Sequence, residues 1–415
     1  MKITRVHARE ILDSRGKPTV EAEVHLVGGV VGRASVPSGA STGAAEACEL
    51  RDSESAWYDG LSVRCAVENV RSIIGPALKG LSATNQDGID RRMIELDGTP
   101  QKSKLGANAM LAVSLATARA AALAAGVRLF GYLTELSGAA RPRMPLPMVN
   151  MISGGKHAGG NLDFQDVLMI PAGAADYPKQ LEWIVRVYRQ LGRLLNEAGY
   201  EGHLVGDEGG YGPRLKSNRE AVEFVVQAIE AAGLQPGKDA TIALDVAASH
   251  FCRDGGYFLA AEQGQRLSNS QMIDRLEQWI AEFPIASIED GLAEGDWTGW
   301  QELTARLGSR VKLVGDDLFA TNEKLLQRGI NEKVANAVLI KVNQIGTLTE
   351  TFRTMRLARQ HGYACIVSAR SGETEDDFLA DLAVGTAADC IKIGSVARSE
   401  RLAKYNRLLR IAEEI

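Results

Sequence analysis

The chain has 415 residues, more than one compact core usually holds, so we expect two domains. A net charge of −5 at pH 7, without a run of Lys or Arg, argues against a nucleic-acid partner. Five scattered cysteines with no CxxC pair argue against a disulfide framework or a zinc site, and no apolar window reaches the length of a membrane span. These observations predict a globular cytoplasmic protein.

Two strands and a loop are predicted near the N-terminus. Residues 18–26 (PTVEAEVHL) alternate apolar and polar with period two, which predicts a half-exposed strand. Residues 30–36 (VVGRASV) predict a second strand. The loop 37–43 (PSGASTG) consists mostly of small residues, and because few side chains can anchor it, we expect it to be mobile.

A helix and a domain boundary follow. Residues 107–125 are rich in Ala and Leu, which predicts a buried helix that ends at Gly126. Residues 138–147 contain three prolines, which mark the boundary between the domains. We therefore expect a small α+β domain over residues 1–137 and a larger domain over residues 138–415.

The larger domain has a repeating pattern of short apolar runs, each ended by a charged or hydroxyl residue and followed by a helical stretch. The runs are 241–244, 285–288, 311–315, 337–340, 364–369 and 390–391. Their spacing suits strand–helix units, whose period in a barrel is roughly 30 residues. No GxGxxG follows a first strand, which disfavours an open dinucleotide-binding sheet. Polar residues at six strand ends favour a (β/α)8 barrel, since a barrel assembles its active site at that face.

Three strand-end residues are carboxylates, Asp245, Glu289 and Asp316. Such a group repels itself unless a divalent cation holds it, and oxygen-only ligation without His or Cys indicates Mg²⁺ or Mn²⁺. Alternatively, each acid could cap a helix or pair with an arginine.

The other strand-end residues are Lys341, Arg370, Ser371 and Lys392. A buried lysine close to a metal and to other cations should have a lowered pKa, which would make Lys341 a general base. Arg370 with Ser371 would form a phosphate clamp, although either lysine could instead reach solvent from its strand end. Together the two groups predict removal of the α-proton of a metal-bound carboxylate.

The sequence resembles the enolase family nearly from end to end. The motifs that carry the resemblance are DSRGKPTVE (13–21), PSGASTG (37–43), GGKHA (154–158), GDEGG (206–210), ALDVAAS (243–249), SIEDG (287–291), VGDDL (314–318), LIKVNQIGTLTE (339–350), RSGETED (370–376) and IKIGS (391–395). The resemblance implies a small α+β domain on a modified barrel that begins ββαα and continues as (βα)6.

The resemblance also implies a role for each matching position. Asp245, Glu289 and Asp316 would hold the first Mg²⁺ beside the substrate, and Ser41 would help to bind a second Mg²⁺. Lys341 would remove the C2 proton and Glu208 would assist departure of the C3 hydroxyl. Arg370 and Ser371 would bind phosphate, Lys392 would bind the substrate carboxylate, and His157, Gln165 and Asp166 would line the pocket.

The implied reaction is the reversible dehydration of 2-phosphoglycerate to phosphoenolpyruvate, in glycolysis and gluconeogenesis. The implied protein is a homodimer that requires two Mg²⁺ ions, with Mn²⁺ as a substitute, and its partner is a small phosphorylated carboxylate.

Several positions depart from the family pattern. Asp166 stands where a Glu is expected and Ala369 where a His is expected. The resemblance implies that both positions lie near the leaving hydroxyl. Smaller departures are Ser153 for Asn, His250 for Glu and Ile393 for Thr. Three hypotheses follow: an ordinary enolase, a paralogue acting on a related phospho- or phosphonocarboxylate in a natural-product pathway (such as a carboxyphosphonoenolpyruvate synthase), or a non-catalytic scaffold.

Overall fold

The structure, a computed structural model, describes residues 1–39, 43–53 and 56–415. Ser41, predicted to bind a second Mg²⁺, lies outside the described residues, as does part of the loop predicted to be mobile.

The N-terminal part combines an antiparallel sheet with a set of helices. The strands are β1 (Ile3–Leu12), β2 (Pro18–Leu26) and β3 (Val31–Ser35), in the order β1-β2-β3. The helices are α1 (Arg64–Asn69), α2 (Gly75–Leu78), α3 (Gln86–Asp97), α4 (Ala107–Ala125) and α5 (Leu129–Ser137), with a π-helical turn at Val70–Ile74. The predicted strands correspond to β2 and β3 and the predicted helix to α4, whereas β1 was not predicted.

Helix α4 packs closely on the sheet because small residues face each other. A Cβ atom at Gly32 of β3 would lie 2.3 Å from the carbonyl oxygen of Ala116 and from the amide nitrogen of Ala120. The sequence prediction that no segment reaches the length of a membrane span was wrong for α4, which is long and apolar enough. However, 83% of its apolar window is buried inside the fold, so α4 is a core helix.

The rest of the chain forms a barrel with one small added sheet. Its strands are β4 (Leu146–Ser153), β5 (Asp166–Ile170), β6 (Thr241–Asp245), β7 (Cys252–Arg253), β8 (Gly256–Leu259), β9 (Gln265–Leu267), β10 (Ile285–Glu289), β11 (Lys312–Gly315), β12 (Ala337–Ile340), β13 (Ala364–Ser368) and β14 (Cys390–Lys392). Its helices are α6 (Tyr177–Glu197), α7 (Asn218–Ala231), α8 (Asn269–Glu282), α9 (Trp297–Leu307), α10 (Glu323–Glu332), α11 (Val342–Ile345), α12 (Leu348–Gln360), α13 (Phe378–Gly385) and α14 (Ser399–Ala412).

Eight strands close the barrel in the order β4-β5-β6-β10-β11-β12-β13-β14. Strand β5 is antiparallel to both of its neighbours, and the remaining neighbours are parallel. Two helices, α6 and α7, separate β5 from β6. The expected ββαα(βα)6 arrangement beside a smaller α+β domain is therefore confirmed.

The barrel interior is filled with apolar side chains, which gives the strands a rigid base. These side chains are Met148, Leu168, Ile170, Ala243, Val314, Ala337, Leu339, Ile366 and Cys390. Because β5 runs against its neighbours, its first residue, Asp166, lies beside the last residues of β4 and β6, Ser153 and Asp245. Polar side chains from all three strands therefore meet at one end of the barrel.

Candidate active site

A narrow pocket opens at the carboxyl end of the barrel. It is lined by His157, Gln165, Glu208, Asp245, Ala247, His250, Asp290, Asp316, Asp317, Lys341, Ser368, Ala369, Arg370, Ser371 and Lys392. Two further predicted site residues do not line the pocket but contact residues that do. Asp166 contacts His157, and Glu289 contacts Lys392. The barrel thus brings together every predicted site residue that the structure describes.

Lys392, the last residue of β14, joins two of the predicted metal ligands. Its Nζ lies 2.6 Å from Asp245 Oδ2 and 2.9 Å and 3.0 Å from the two carboxylate oxygens of Glu289. The register pairs Glu289 directly with Asp245, so their side chains leave neighbouring strands at the same level. All three side chains are buried.

This cluster contains more negative than positive charge. Burial raises the pKa of Asp245, but the ammonium of Lys392 outweighs it and lowers that pKa to about 2. Burial and the charge of Asp245 raise the pKa of Glu289 well above its ordinary value, despite Lys392. A single ammonium therefore does not compensate both carboxylates.

Asp316, which follows β11, is held by Lys341 and Gln344. Its Oδ2 accepts a short hydrogen bond from Lys341 Nζ, and its Oδ1 accepts one from Gln344 Nε2 at 2.9 Å. Burial lowers the pKa of Lys341, but the charge of Asp316 outweighs it, so that pKa is raised. The predicted fall supposes a metal beside the lysine; among the protein groups alone the shift is upward, because of the carboxylate in contact.

The donor chemistry of this end of the pocket fits a hard divalent cation. The three strand-end carboxylates outnumber the two lysine ammonium groups that contact them. Oxygen is also the ligand atom that Mg²⁺ and Mn²⁺ prefer. Within the described residues, Gln165 Oε1 is also buried without a hydrogen-bond partner. Acidic groups that could hold a metal therefore exist here.

Two sets of ligand-type atoms converge to within 4.8 Å among the described residues. One set is Asp290, Asp316 and Asp317, and the other is His157, Asp166 and Glu208. Asp316 is thus the predicted ligand that belongs to a converging set, whereas Asp245 and Glu289 are bridged by Lys392.

A second cluster in the pocket is organised around His157. Its Nδ1 lies 2.9 Å from Asp166 Oδ2, and its Nε2 lies 3.6 Å from Glu208 Oε1. Glu208 is fixed on its other oxygen by Asn150 Nδ2, at 3.0 Å. The imidazole therefore lies between two buried carboxylates.

The charges in this cluster favour an imidazolium. Burial lowers the pKa of His157, but Glu208 and Asp166 outweigh it and raise that pKa to about 9. Burial raises the pKa of Asp166 to about 6 even though the positive charge of His157 opposes the shift. Burial also raises the pKa of Glu208, yet His157 and Arg401 outweigh burial and lower it.

Three departures from the family pattern lie in or against this pocket. Ser153 Oγ donates a hydrogen bond to Asp166 Oδ1 at 3.0 Å, so the serine and the shortened acid interact directly. The carboxylate of Asp166 is thereby shared between Ser153 and His157. Ala369 also lines the pocket, where its methyl group offers no hydrogen bond or proton.

The predicted phosphate clamp already holds a carboxylate. Arg370 Nη1 lies 3.0 Å from Glu46 Oε2, and its Nη2 lies 3.3 Å from Glu46 Oε1. Asn343 Oδ1 accepts a further hydrogen bond from Nη1 at 3.0 Å. A two-point contact of this kind is the geometry in which a guanidinium also binds phosphate oxygens.

The second half of the clamp, Ser371, is contacted by Arg15 from the N-terminal part. Arg15 Nη1 donates to Ser371 Oγ at 3.3 Å, and Arg15 Nη2 donates to the carbonyl oxygen of Gly39 at 3.0 Å. Because Ser371 Oγ accepts from Arg15, its hydroxyl proton is available for another acceptor.

Sequence reasoning did not identify the residues that hold the site residues in place. They are Arg15, Glu46, Asn150, Asn343, Gln344 and Arg401. Arg15, Asn343 and Gln344 lie inside recognised motifs, which was the available signal. The remaining three lie outside those motifs, and only the folded chain brings them to the pocket.

Both parts of the chain match models of one protein family. Residues 3–133 match the model described as enolase, N-terminal domain. Residues 141–415 match the model described as enolase, C-terminal TIM barrel domain. The two matches together span almost the whole chain.

Proposed function

The chain belongs to the enolase family and is a lyase of the enolase superfamily, and from this premise we propose that it dehydrates 2-phosphoglycerate to phosphoenolpyruvate. The observation that carries the proposal is that a lysine base, a guanidinium clamp and a buried acid line the same pocket. These residues are Lys341, Arg370 and Glu208.

The phosphate end would fix the substrate. Its phosphate would replace the Glu46 carboxylate on Arg370, since both anions present paired oxygens to the guanidinium. Ser371 would donate its hydroxyl proton to the same phosphate, because Arg15 already donates to its oxygen.

A divalent cation held by Asp245, Glu289 and Asp316 would neutralise the substrate carboxylate and so make the α-proton more acidic. Lys392, which contacts two of these acids, would supply a fixed positive charge at the same end.

Lys341 would act as the base. The contact with Asp316 favours its ammonium form, so the lysine becomes a base only when this carboxylate is engaged elsewhere. Use of Asp316 as a ligand would meet that requirement. Lys341 would then take the proton from C2, and the electron pair would move towards the carboxylate.

The acid end would complete the reaction. As the bond to the C3 hydroxyl breaks, the leaving oxygen needs a proton. Glu208 would deliver it, and the protonated His157 beside Glu208 would supply that proton. Water is the product that leaves, and the proton taken by Lys341 balances the one delivered here. The site supports this step less well than the enolising step, because Asp166 and Ala369 depart from the family pattern.

The experiment is to add 2-phosphoglycerate and Mg²⁺ to the purified protein and to follow the absorbance of the enolpyruvate product. We expect turnover within the usual enzyme range of about 1–10³ s⁻¹. Absence of turnover, with binding intact, would reject this reaction for the chain.

A second candidate is favoured by the interaction of Ser153 with Asp166 and by the small side chain of Ala369. We propose as the alternative a paralogue that acts on a related phospho- or phosphonocarboxylate with a different group near C3. Binding of 2-phosphoglycerate without turnover, together with turnover of a phosphonocarboxylate, would select this alternative over the first.

The proposal includes further features, taken from the sequence and from family membership. They are assembly as a homodimer, a cytoplasmic location, two Mg²⁺ ions for each site, domains over residues 1–137 and 138–415, and a place in glycolysis and gluconeogenesis. Sedimentation of the purified chain would test the dimer directly.

A further inference from the structure

The last helix of the chain, α14, presents a row of buried polar side chains to the active-site end of the barrel. Arg401, Lys404 and Tyr405 lie on one face of this helix and are completely buried. Each of them donates to backbone carbonyl oxygens in the segments that follow β13 and β14. The segment after β13 carries the predicted phosphate clamp, Arg370 and Ser371. The segment after β14 follows Lys392, which is predicted to bind the substrate carboxylate.

Arg401 makes the contacts closest to the clamp. Its Nη1 donates to the carbonyl oxygen of Arg370 at 2.7 Å, and its Nη2 donates to that of Ser371 at 2.7 Å. Nη1 also donates to the carbonyl oxygen of Ile393 at 3.0 Å, next to Lys392. One guanidinium therefore ties the end of β13 to the end of β14.

Arg401 also lies behind the predicted acid. A Cβ atom at Gly394 would come within 3.1 Å of Arg401 Cδ and 2.8 Å of the carbonyl oxygen of Glu208, so these three residues pack without a gap. The amide of Ser395 donates to that same carbonyl oxygen at 2.8 Å.

We infer that Arg401 is a positioning residue, which fixes the phosphate clamp relative to the other substrate contacts by holding the backbone of Arg370 and Ser371. The inference rests on the proposed function, because it assumes that these two residues bind the substrate phosphate. A lysine keeps the charge but offers one nitrogen in place of a fork, so it cannot hold three carbonyl oxygens in the same geometry.

The test compares R401K with R407K, a matched change on the same helix. Arg407 makes a two-point contact with Asp381, at 2.8 Å and 2.6 Å, and contacts no pocket residue in the described chain. Calorimetry in Mg²⁺ buffer would measure the apparent Kd for 2-phosphoglycerate at equilibrium with its product, and the Kd for glycerate, which lacks the phosphate. Thermal unfolding of both variants would be recorded alongside.

We expect R401K to raise the Kd for 2-phosphoglycerate at least tenfold and that for glycerate less than threefold, while R407K changes neither. A displaced clamp loses contacts to phosphate, whereas lower stability alone does not alter the ratio of the two Kd values.

The remaining outcomes overturn the inference. An R401K protein that is less stable but binds both compounds like the wild type shows that Arg401 is purely structural. Failure of both R401K and R401Q to fold leads to the same conclusion. Wild-type protein that binds 2-phosphoglycerate no better than glycerate rejects the proposed function itself, and the inference with it.

Discussion

His157 Nδ1 lies 2.9 Å from Asp166 Oδ2, and this contact sets the charge of the pocket at the acid end. The side chain of Asp166 is one carbon shorter than that of the Glu in the family pattern, yet its carboxylate still reaches the imidazole. Ser153 completes the arrangement by donating to the other oxygen of Asp166 at 3.0 Å. The shortened acid is therefore a fully engaged partner of His157 and not a withdrawn one.

The first prediction concerns the pKa of His157. In the D166N variant the imidazolium loses one of its two anionic neighbours, so its pKa should fall below the wild-type value of about 9. An NMR titration of the His157 ring in both proteins would measure the change. D254N, which removes an exposed acid that does not line the pocket, is the control and should leave the titration unchanged.

The same shift has a consequence for stability. Because the folded pKa is raised, protonated His157 stabilises the fold fully below its ordinary pKa of 6.5, and this contribution is lost as pH rises through about 9. A hydrogen bond to a charged group contributes about 1.5–3 kcal/mol. Urea unfolding of D166N should therefore show a deficit in that range at pH 6.5 and a smaller one at pH 9. A deficit that is constant over this pH range would contradict the assignment.

The second prediction concerns the two main departures from the family pattern. In the D166E/A369H variant, the longer acid and the second imidazole of the family pattern would be restored at the pocket, so the dehydration of 2-phosphoglycerate should become faster. A positioned acid or base typically contributes about 10²–10⁴-fold, so we expect a gain of tenfold or more in kcat. Steady-state kinetics of the wild type, both single variants and the double variant would measure it.

No gain in any of these variants would count against the account of the acid end. It would not bear on the base, because Lys341 follows β12 whereas Asp166 begins β5 and Ala369 follows β13. A gain in A369H alone would assign the deficit to the missing imidazole and not to the shorter carboxylate.

The barrel was predictable in its second half but not in its first. Strands that are buried on both faces read as continuous apolar runs, and six such runs matched β6 and β10 to β14. Strand β4 starts within the proline-containing stretch interpreted as a boundary, and β5 is short and begins with a charged residue. The antiparallel direction of β5 depends on pairing with β4 and β6, which no local pattern in the sequence specifies.

The site was predictable in its residues but not in their contacts. Lys341 and Lys392 were identified as pocket residues from their positions at predicted strand ends. The distance between either lysine and a particular carboxylate, however, cannot be read from the sequence. Among the protein groups, the contact with Asp316 raises the pKa of Lys341, and no pattern in the sequence specifies that contact. Glu46 was not predicted because it lies in the N-terminal part of the chain, far in sequence from Arg370, which it contacts.

The third prediction is that Mg²⁺ stabilises the protein through the strand-end carboxylates. Asp245 and Glu289 share one ammonium, so an added divalent cation should relieve their repulsion and raise the melting temperature. At a concentration 100 times the Kd, binding adds about 2.7 kcal/mol to the free energy of unfolding. The D245N variant should lose most of this gain, as measured by thermal unfolding with and without Mg²⁺.

The control for this experiment is again D254N, which keeps all strand-end acids and should respond to Mg²⁺ like the wild type. An equal response of D245N and D254N would show that the cation binds elsewhere. In that case the set of Asp290, Asp316 and Asp317 would be the next candidate ligands to substitute.

The last prediction concerns the base. Lys341 is the residue whose ammonium contacts Asp316 and whose side chain lines the pocket, so K341A should abolish exchange of the C2 proton of 2-phosphoglycerate with solvent deuterium. Loss of a general base typically costs 10²–10⁴-fold, and NMR of the substrate in deuterated buffer would follow the exchange. Lys312 begins β11 at the opposite end of the barrel and is exposed, so K312A is a matched lysine control that should exchange at the wild-type rate. Wild-type exchange in K341A would reject Lys341 as the base, whereas equal loss in both variants would point to a general effect of removing a barrel lysine.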